Sequence, residues 1–139
     1  SLAAGLSDGI PLEEDVAGEL ERMPLFQGGD LQSFRKWVME NLKYPREALE
    51  DEVEDDIVVT FIVEKDGTLS EIVVEQGLNL ALIREVGRVL TLSPKWEPGR
   101  LGNGEPVQVR YTLPLIFRLD RTRPAGATVR PGTGSPGRR

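Results

Sequence analysis

One run of the sequence limits the fold more than any other. Val107, Val109, Tyr111, Leu113, Leu115, Phe117 and Leu119 alternate without a miss with Gln108, Arg110, Thr112, Pro114, Ile116 and Arg118. A period of two places the first set on one face of a β-strand and the second set on the other. The run is about twice the usual strand length of ~5–6 residues. Pro114 then restricts where such a strand can sit. Proline cannot donate to a β-ladder, so within sheets it is found at edges or bulges. Backbone direction alternates along a strand as side-chain direction does. Pro114 should therefore turn away from the neighbouring strand, and the even-numbered residues turn with it. This predicts an edge strand with one bare flank, offering backbone groups of Gln108, Arg110, Thr112, Ile116 and Arg118 with a gap at Pro114. Two readings follow. Pro114 and the flanking arginines blunt the edge against unwanted pairing, or the edge is a docking site for an extended peptide by strand addition.

The rest of the chain supplies partners for this strand. Asp30 is placed to cap a helix in which Leu31, Phe34, Val38 and Leu42 recur at helical spacing, with Trp37 beside them. Tyr44-Pro45 is expected to end that helix and to open a short one over residues 46–50, because the residue before proline avoids the α region. Ile57, Val59, Phe61 and Val63 alternate as a strand, and Lys65-Asp66-Gly67 reads as a hairpin turn into a second strand over residues 68–76. Leu69 and Ile72 are out of phase for strict alternation, so a bulge is expected near Ser70-Glu71. Asn79 can cap a second helix with the stripe Leu82, Ile83, Val86, Val89 and Leu90, stopped by Ser93-Pro94. The order helix–strand–strand–helix–strand predicts a small two-layer α+β domain. It has a three-stranded antiparallel sheet and two main helices on one face.

Composition removes several chemistries. The 139-residue chain has no Cys and no His, which excludes disulfides, thiolate nucleophiles, Cys- or His-ligated metals and His-based triads. Its formal net charge is −6. Five of the 17 basic residues, all arginines, lie in residues 121–139, which have no acid, so residues 1–120 hold 12 basic and 23 acidic residues, a net of −11. An acidic body disfavours a nucleic-acid partner. Residues 1–22 read as an acidic linker, 23–120 as the folded domain and 121–139 as a basic disordered tail. No stretch approaches the ~20 apolar residues of a membrane helix. The chain begins with Ser1, which fits a fragment of a longer protein.

Other residues invite functional readings, and ordinary chemistry covers most of them. Trp37 and Trp96 are packing anchors before they are stacking platforms. The acids Glu47, Glu50, Asp51, Glu52, Glu54, Asp55 and Asp56 lack the spacing of a calcium loop and read as a solvated face. Glu64 and Asp66 flank a turn, where Asp is placed by turn chemistry. Gly28-Gly29 follows no strand and precedes no Lys-Ser/Thr, so it is not a phosphate loop.

Taken in order, several segments resemble one family. Residues 23–29 (Met23-Pro24-Leu25-Phe26-Gln27-Gly28-Gly29) resemble the opening of TonB C-terminal domains of the Bacteroidetes-like type. Tyr44-Pro45-Arg46-Glu47-Ala48 is similar to their YP..A motif, and residues 59–70 resemble their first hairpin. Pro94-Lys95-Trp96-Glu97-Pro98-Gly99 is similar to their P.W.PG connector. Asn103-Gly104-Glu105-Pro106-Val107 and Tyr111-Thr112-Leu113-Pro114 resemble the entry and centre of the last strand. The family usually carries Gly just before the first strand, where this chain has Glu54-Asp55-Asp56.

The resemblance implies a periplasmic domain of an inner-membrane-anchored energy transducer, without enzymatic activity or cofactor. The implied partners are the TonB box of TonB-dependent outer-membrane receptors and an ExbB/ExbD-like motor in the full-length protein. The receptor peptide would add beside the last strand, along Gln108, Arg110, Thr112, Pro114, Ile116 and Arg118. Tyr44 and Pro45 are implied as further receptor contacts. The same geometry implies edge-strand homodimers in an isolated fragment. A second reading keeps the fold within a membrane sensor or peptidase fusion, or in a TolA-like envelope component. A third, from another class, is a carboxylate-based hydrolase, which would need two acids on buried positions.

Overall fold

In the computed structural model the described residues are 9–12, 19–119 and 129–131. The acidic linker and basic tail therefore lie largely outside them. The centre of the fold is the ribbon predicted from residues 107–119 and its neighbours. Strand β3 (Asp55–Val63) is joined to β4 (Leu69–Gln76) by the predicted hairpin. Gly67 takes φ +88, and the Asp66 carboxylate accepts from the Thr68 amide at 3.0 Å and the Thr68 hydroxyl at 2.6 Å. Strand β7 (Val109–Leu119) pairs antiparallel with β3 without a break, from Asp55↔Phe117 to Val63↔Val109. Pro114 stands opposite Val58 in that ladder. Strand β4 lies on the other side of β3.

The expected bulge is present. Thr60 pairs with Val73 and Ile62 with Ser70, so Glu71 and Ile72 together oppose Phe61, and Glu71 takes φ +48. This returns Leu69, Ile72 and Val74 to the core face.

Helix α1 (Leu31–Asn41) is capped by Asp30, which accepts from the amides of Gln32 and Ser33. Short α2 (Arg46–Glu50) follows Pro45. Helix α3 (Leu80–Thr91) is capped by Asn79, which accepts from the Leu82 amide at 3.0 Å. One expectation is corrected here: α1 ends at Asn41, before Tyr44-Pro45. Leu42 is already extended with ψ 135, and the Lys43 amide donates to Glu85 Oε2 of α3 at 2.7 Å, which draws the chain out of the helix.

The helices cover the odd face of the ribbon. Ile57, Val59, Phe61 and Val63 of β3 and Val109, Tyr111, Leu113, Leu115 and Phe117 of β7 are buried there with Phe34, Val38, Leu82, Val86 and Leu90. Phe26, Phe34, Phe61, Trp96 and Tyr111 form a cluster with ring centroids 4.9–5.9 Å apart. Trp37 stacks on Phe34 at its margin. Such pairs add to plain area burial.

The sheet is larger than the predicted three strands. Strands β1 (Ile10–Pro11) and β8 (Val129–Pro131) both pair with β7, giving a five-stranded sheet around the central three. A second small sheet is built from β2 (Leu20–Arg22), β5 (Gly99–Leu101) and β6 (Pro106–Val107). The long alternating run is thus split. Val107 pairs with Gly99 in the small sheet, whereas Val109 pairs with Val63 in the large one, and Gln108 passes the chain between them.

Candidate docking edge

The flank of β7 that faces away from β3 is the candidate site. Its direction follows from one bond: the Leu12 amide donates to the Gln108 carbonyl at 3.3 Å. Backbone groups of residue 108 thus point away from β3, and alternation turns those of 110, 112, 114, 116 and 118 the same way. Pro114 fits opposite Val58 because its missing N–H falls on the outward side.

The expected fully bare flank is corrected by this structure. At its N-terminal end Arg110 pairs with Ile10 and Val109 with Pro11. At its C-terminal end Phe117, Arg118 and Leu119 pair with Pro131, Arg130 and Val129. Among the described residues, no strand pairs with the flank over residues 112–116. At ~3.4 Å per residue this window is about 17 Å long. The pairing was missed because two- and three-residue strands carry no period of their own. The one visible signal is Ile10-Pro11-Leu12, an apolar triplet among acids.

The six edge residues have distinct surroundings. Gln108 lies outside β7, and its side-chain amide donates to Glu64 Oε1 at 2.8 Å. The other oxygen of Glu64 accepts from the Ser70 hydroxyl. Arg110 stands 3.6 Å from Glu71, and Arg118 2.9 Å from Asp56. Thr112 is exposed, and Pro114 and Ile116 are half-buried. On the same even face Ile62 is fully covered, with Thr60 nearly so, its hydroxyl donating to Glu75 Oε2 at 3.0 Å. The centre of the window is thus smooth and apolar, with charge pairs at both ends. Next to Arg118, a cleft of about 480 Å³ is lined by Glu54, Asp55, Asp56, Gln76 and Leu78.

Two sequence expectations elsewhere acquire internal roles. The Tyr44 hydroxyl donates to the Val53 carbonyl, and its ring meets Phe117 edge-on at 6.2 Å. That contact lies on the odd, core face of β7, so Tyr44 is not brought together with the even-face residues. Pro45 is half-buried at the start of α2. Asp55, read as part of a solvated acidic face, is buried instead. Its Oδ2 accepts from the amides of Leu78 and Asn79 at 2.8 and 2.9 Å, and its Oδ1 from the Asp56 amide at 2.9 Å. It therefore ties the start of β3 to the turn before α3, at the place where the family usually has Gly.

No described helix is long and apolar enough to cross a membrane. Among curated proteins, none matches this chain. Among solved structures it is similar to the TonB C-terminal domain of Pseudomonas aeruginosa, determined in solution by NMR. The two are 26% identical, with a TM-score of 0.50, over 61% of this chain and 85% of that one. The family model described as Gram-negative bacterial TonB protein C-terminal matches residues 40–119, which run from the end of α1 through the whole of β7. The three central strands, the helices packed on their odd face and this match together show that the chain belongs to the family of TonB protein C-terminal domains.

Proposed function

We propose that this chain is the periplasmic terminal domain of a TonB-type energy transducer. It captures the TonB box of outer-membrane receptors by strand addition to β7. The full-length protein would be anchored in the inner membrane and driven by an ExbB/ExbD-like motor whose proton-driven pull admits nutrients through the receptor. The observation that carries this reading is the window at Thr112, Pro114 and Ile116. It is a regular, bulge-free strand whose outward backbone groups have no strand partner among the described residues. Family membership supports the receptor partner, and the accommodated proline supports the direction of the edge.

Magnitudes favour a reversible grip. A guest strand over residues 112–116 makes about five ladder bonds, because Pro114 offers only its carbonyl. Each contributes about 0.5–1.5 kcal/mol, whereas ordering a peptide costs about 1–2 kcal/mol per residue. Side-chain contacts with the even face and the cleft beside Arg118 must supply the remainder. The expected affinity is micromolar or weaker, about −8 kcal/mol at the tightest.

The test is titration of the isotope-labelled chain with N-terminal peptides of outer-membrane receptors from the same organism. The expected result is amide shifts at Thr112 and Ile116 and their neighbours in β3. Shifts confined to α1 and α3, with β7 silent, would reject the reading. Sedimentation over a range of concentrations tests the related proposal that isolated fragments pair through this edge.

A further inference from the structure

The flank proposed for the guest is already shared with a segment of the same chain. Strand β1 meets it through Ile10↔Arg110 and Pro11↔Val109, followed by the bond from Leu12 to the Gln108 carbonyl. Residues 10/110 and 12/108 thus form the narrow, hydrogen-bonded pairs, and Pro11 falls on the wide pair, where its missing N–H costs nothing. Immediately before β1, Gly9 lies so close to the core that a Cβ there would meet Val109 Cγ1 at 2.1 Å and the Tyr111 ring at 3.0 Å. Apolar burial holds the strand only in part, since Ile10 is 66% exposed while Pro11 and Leu12 are half-buried.

We propose that β1 is a resident competitor for the upper flank of β7. While β1 is seated, it takes the backbone groups of Gln108 and Arg110 and leaves residues 112–116 to a guest. When it is withdrawn, the accepting flank extends to residues 108–116. The inference rests on the strand-addition reading. Its position gives it a mechanical consequence. Tension in the chain N-terminal to Ile10 bears on the few bonds of β1 before it reaches β2, which is held by Leu20↔Leu101 and Arg22↔Arg100. A pull therefore strips β1 and lengthens the ladder available to the guest, so the grip tightens under load.

Two variants test this in the full chain. In Gly9→Val the added side chain collides with Val109 and unseats β1. In the double variant I10C/R110C, oxidation locks β1 in place. The narrow-pair Cα separation of about 5.5 Å suits a disulfide, and the chain has no other thiol. The probe is a synthetic peptide copying residues 6–14, blocked at both ends. Gly9→Val is expected to raise amide exchange at Arg110 at least tenfold, with Leu113 and Leu115 unchanged. The probe should shift the amide of residue 110 in Gly9→Val and in the reduced double variant, and not in the oxidised one. Equal exchange at residue 110 in all forms, or equal probe shifts in the oxidised and reduced forms, would overturn the proposal. Receptor peptides form a separate arm. Binding at least fivefold tighter to Gly9→Val than to the parent chain, in which β1 is seated, is expected, and equal binding to both refutes competition while sparing strand addition. Receptor peptides that bind no form, beside a probe that behaves as stated, leave the seat of β1 standing and refute the receptor reading alone.

Discussion

The large sheet ends in two edges that are managed in opposite ways. The β4 edge is bent. Its register with β3 shifts between Val58 and Val59 and again between Thr60 and Ile62, where Glu71 takes φ +48. The exposed acids Glu71 and Glu75 and the exposed amide Gln76 line it. Bulges and charge are the usual means of making an edge unfit for pairing. The β7 flank has no bulge, and its charges, Arg110 and Arg118, stand only towards its two ends. Its ladder to β3 runs through nine consecutive pairs without a shift, and the chain covers its ends with short strands of its own. One edge is spoiled permanently, and the other is kept regular and partly capped. Only the second keeps the regular geometry that an added strand needs, and this contrast supports the proposed docking edge.

The largest expected effect comes from the core that both edges share. Leu113 is fully buried opposite Val59, so Leu113→Ala should cost about 2–5 kcal/mol in urea unfolding. Amide exchange should then quicken in β4 and β7 together. Quickening in β4 alone would show that the two edges do not stand on one platform. A smaller effect tests how β4 is spoiled. If the backbone fixes its bulge, Glu71→Gly stays within about 1 kcal/mol of the parent, because glycine tolerates positive φ. Glu71→Val should lose about 1–2 kcal/mol, since a β-branched residue does not. Equal losses in the two variants would instead assign the role to charge.

The smallest effect lies in the helical layer and serves as a reference for both edges. The hydrogen bond from Arg88 holds the Glu85 carboxyl below its ordinary range, with the Lys43 amide adding to it. A depressed folded pKa contributes stability that is complete above the unfolded value, near 4.3, and is lost as pH falls through the lower folded value. Melting temperature should therefore drop below about pH 4, and less steeply in Glu85→Gln. Above pH 6 that variant should be weaker by about 0.2–0.5 kcal/mol, as for a helix pair three residues apart. A variant with the parent's acid profile would remove Glu85 from this account.

Local chemistry made much of the fold legible. The caps at Asp30 and Asn79, the turn at Gly67, the bulge at Ser70-Glu71 and the phase of β7 each depend on residues within a few positions of one another. Pro114 alone indicated which way the even-numbered backbone groups turn. What stayed hidden depends on distant partners. Strands β1 and β8 are too short to show a period and exist only against β7. The break at Gln108 is invisible because Val107 and Val109 continue the same alternation while belonging to different sheets. Asp55 looked like one more surface acid until the amides of Leu78 and Asn79 converged on it.

The aromatic cluster has a practical consequence. Trp96 is 3% exposed, surrounded by Phe26, Phe34, Phe61 and Tyr111, and its indole N–H donates to the Ser93 hydroxyl at 3.2 Å. The other tryptophan, Trp37, sits half in solvent. The molecule thus carries two indole fluorophores of unequal reach, one partly open to a dissolved quencher and one shielded from it. Emission from the shielded indole moves to the red only when the interior lets water in, so loss of structure is read optically without any added label.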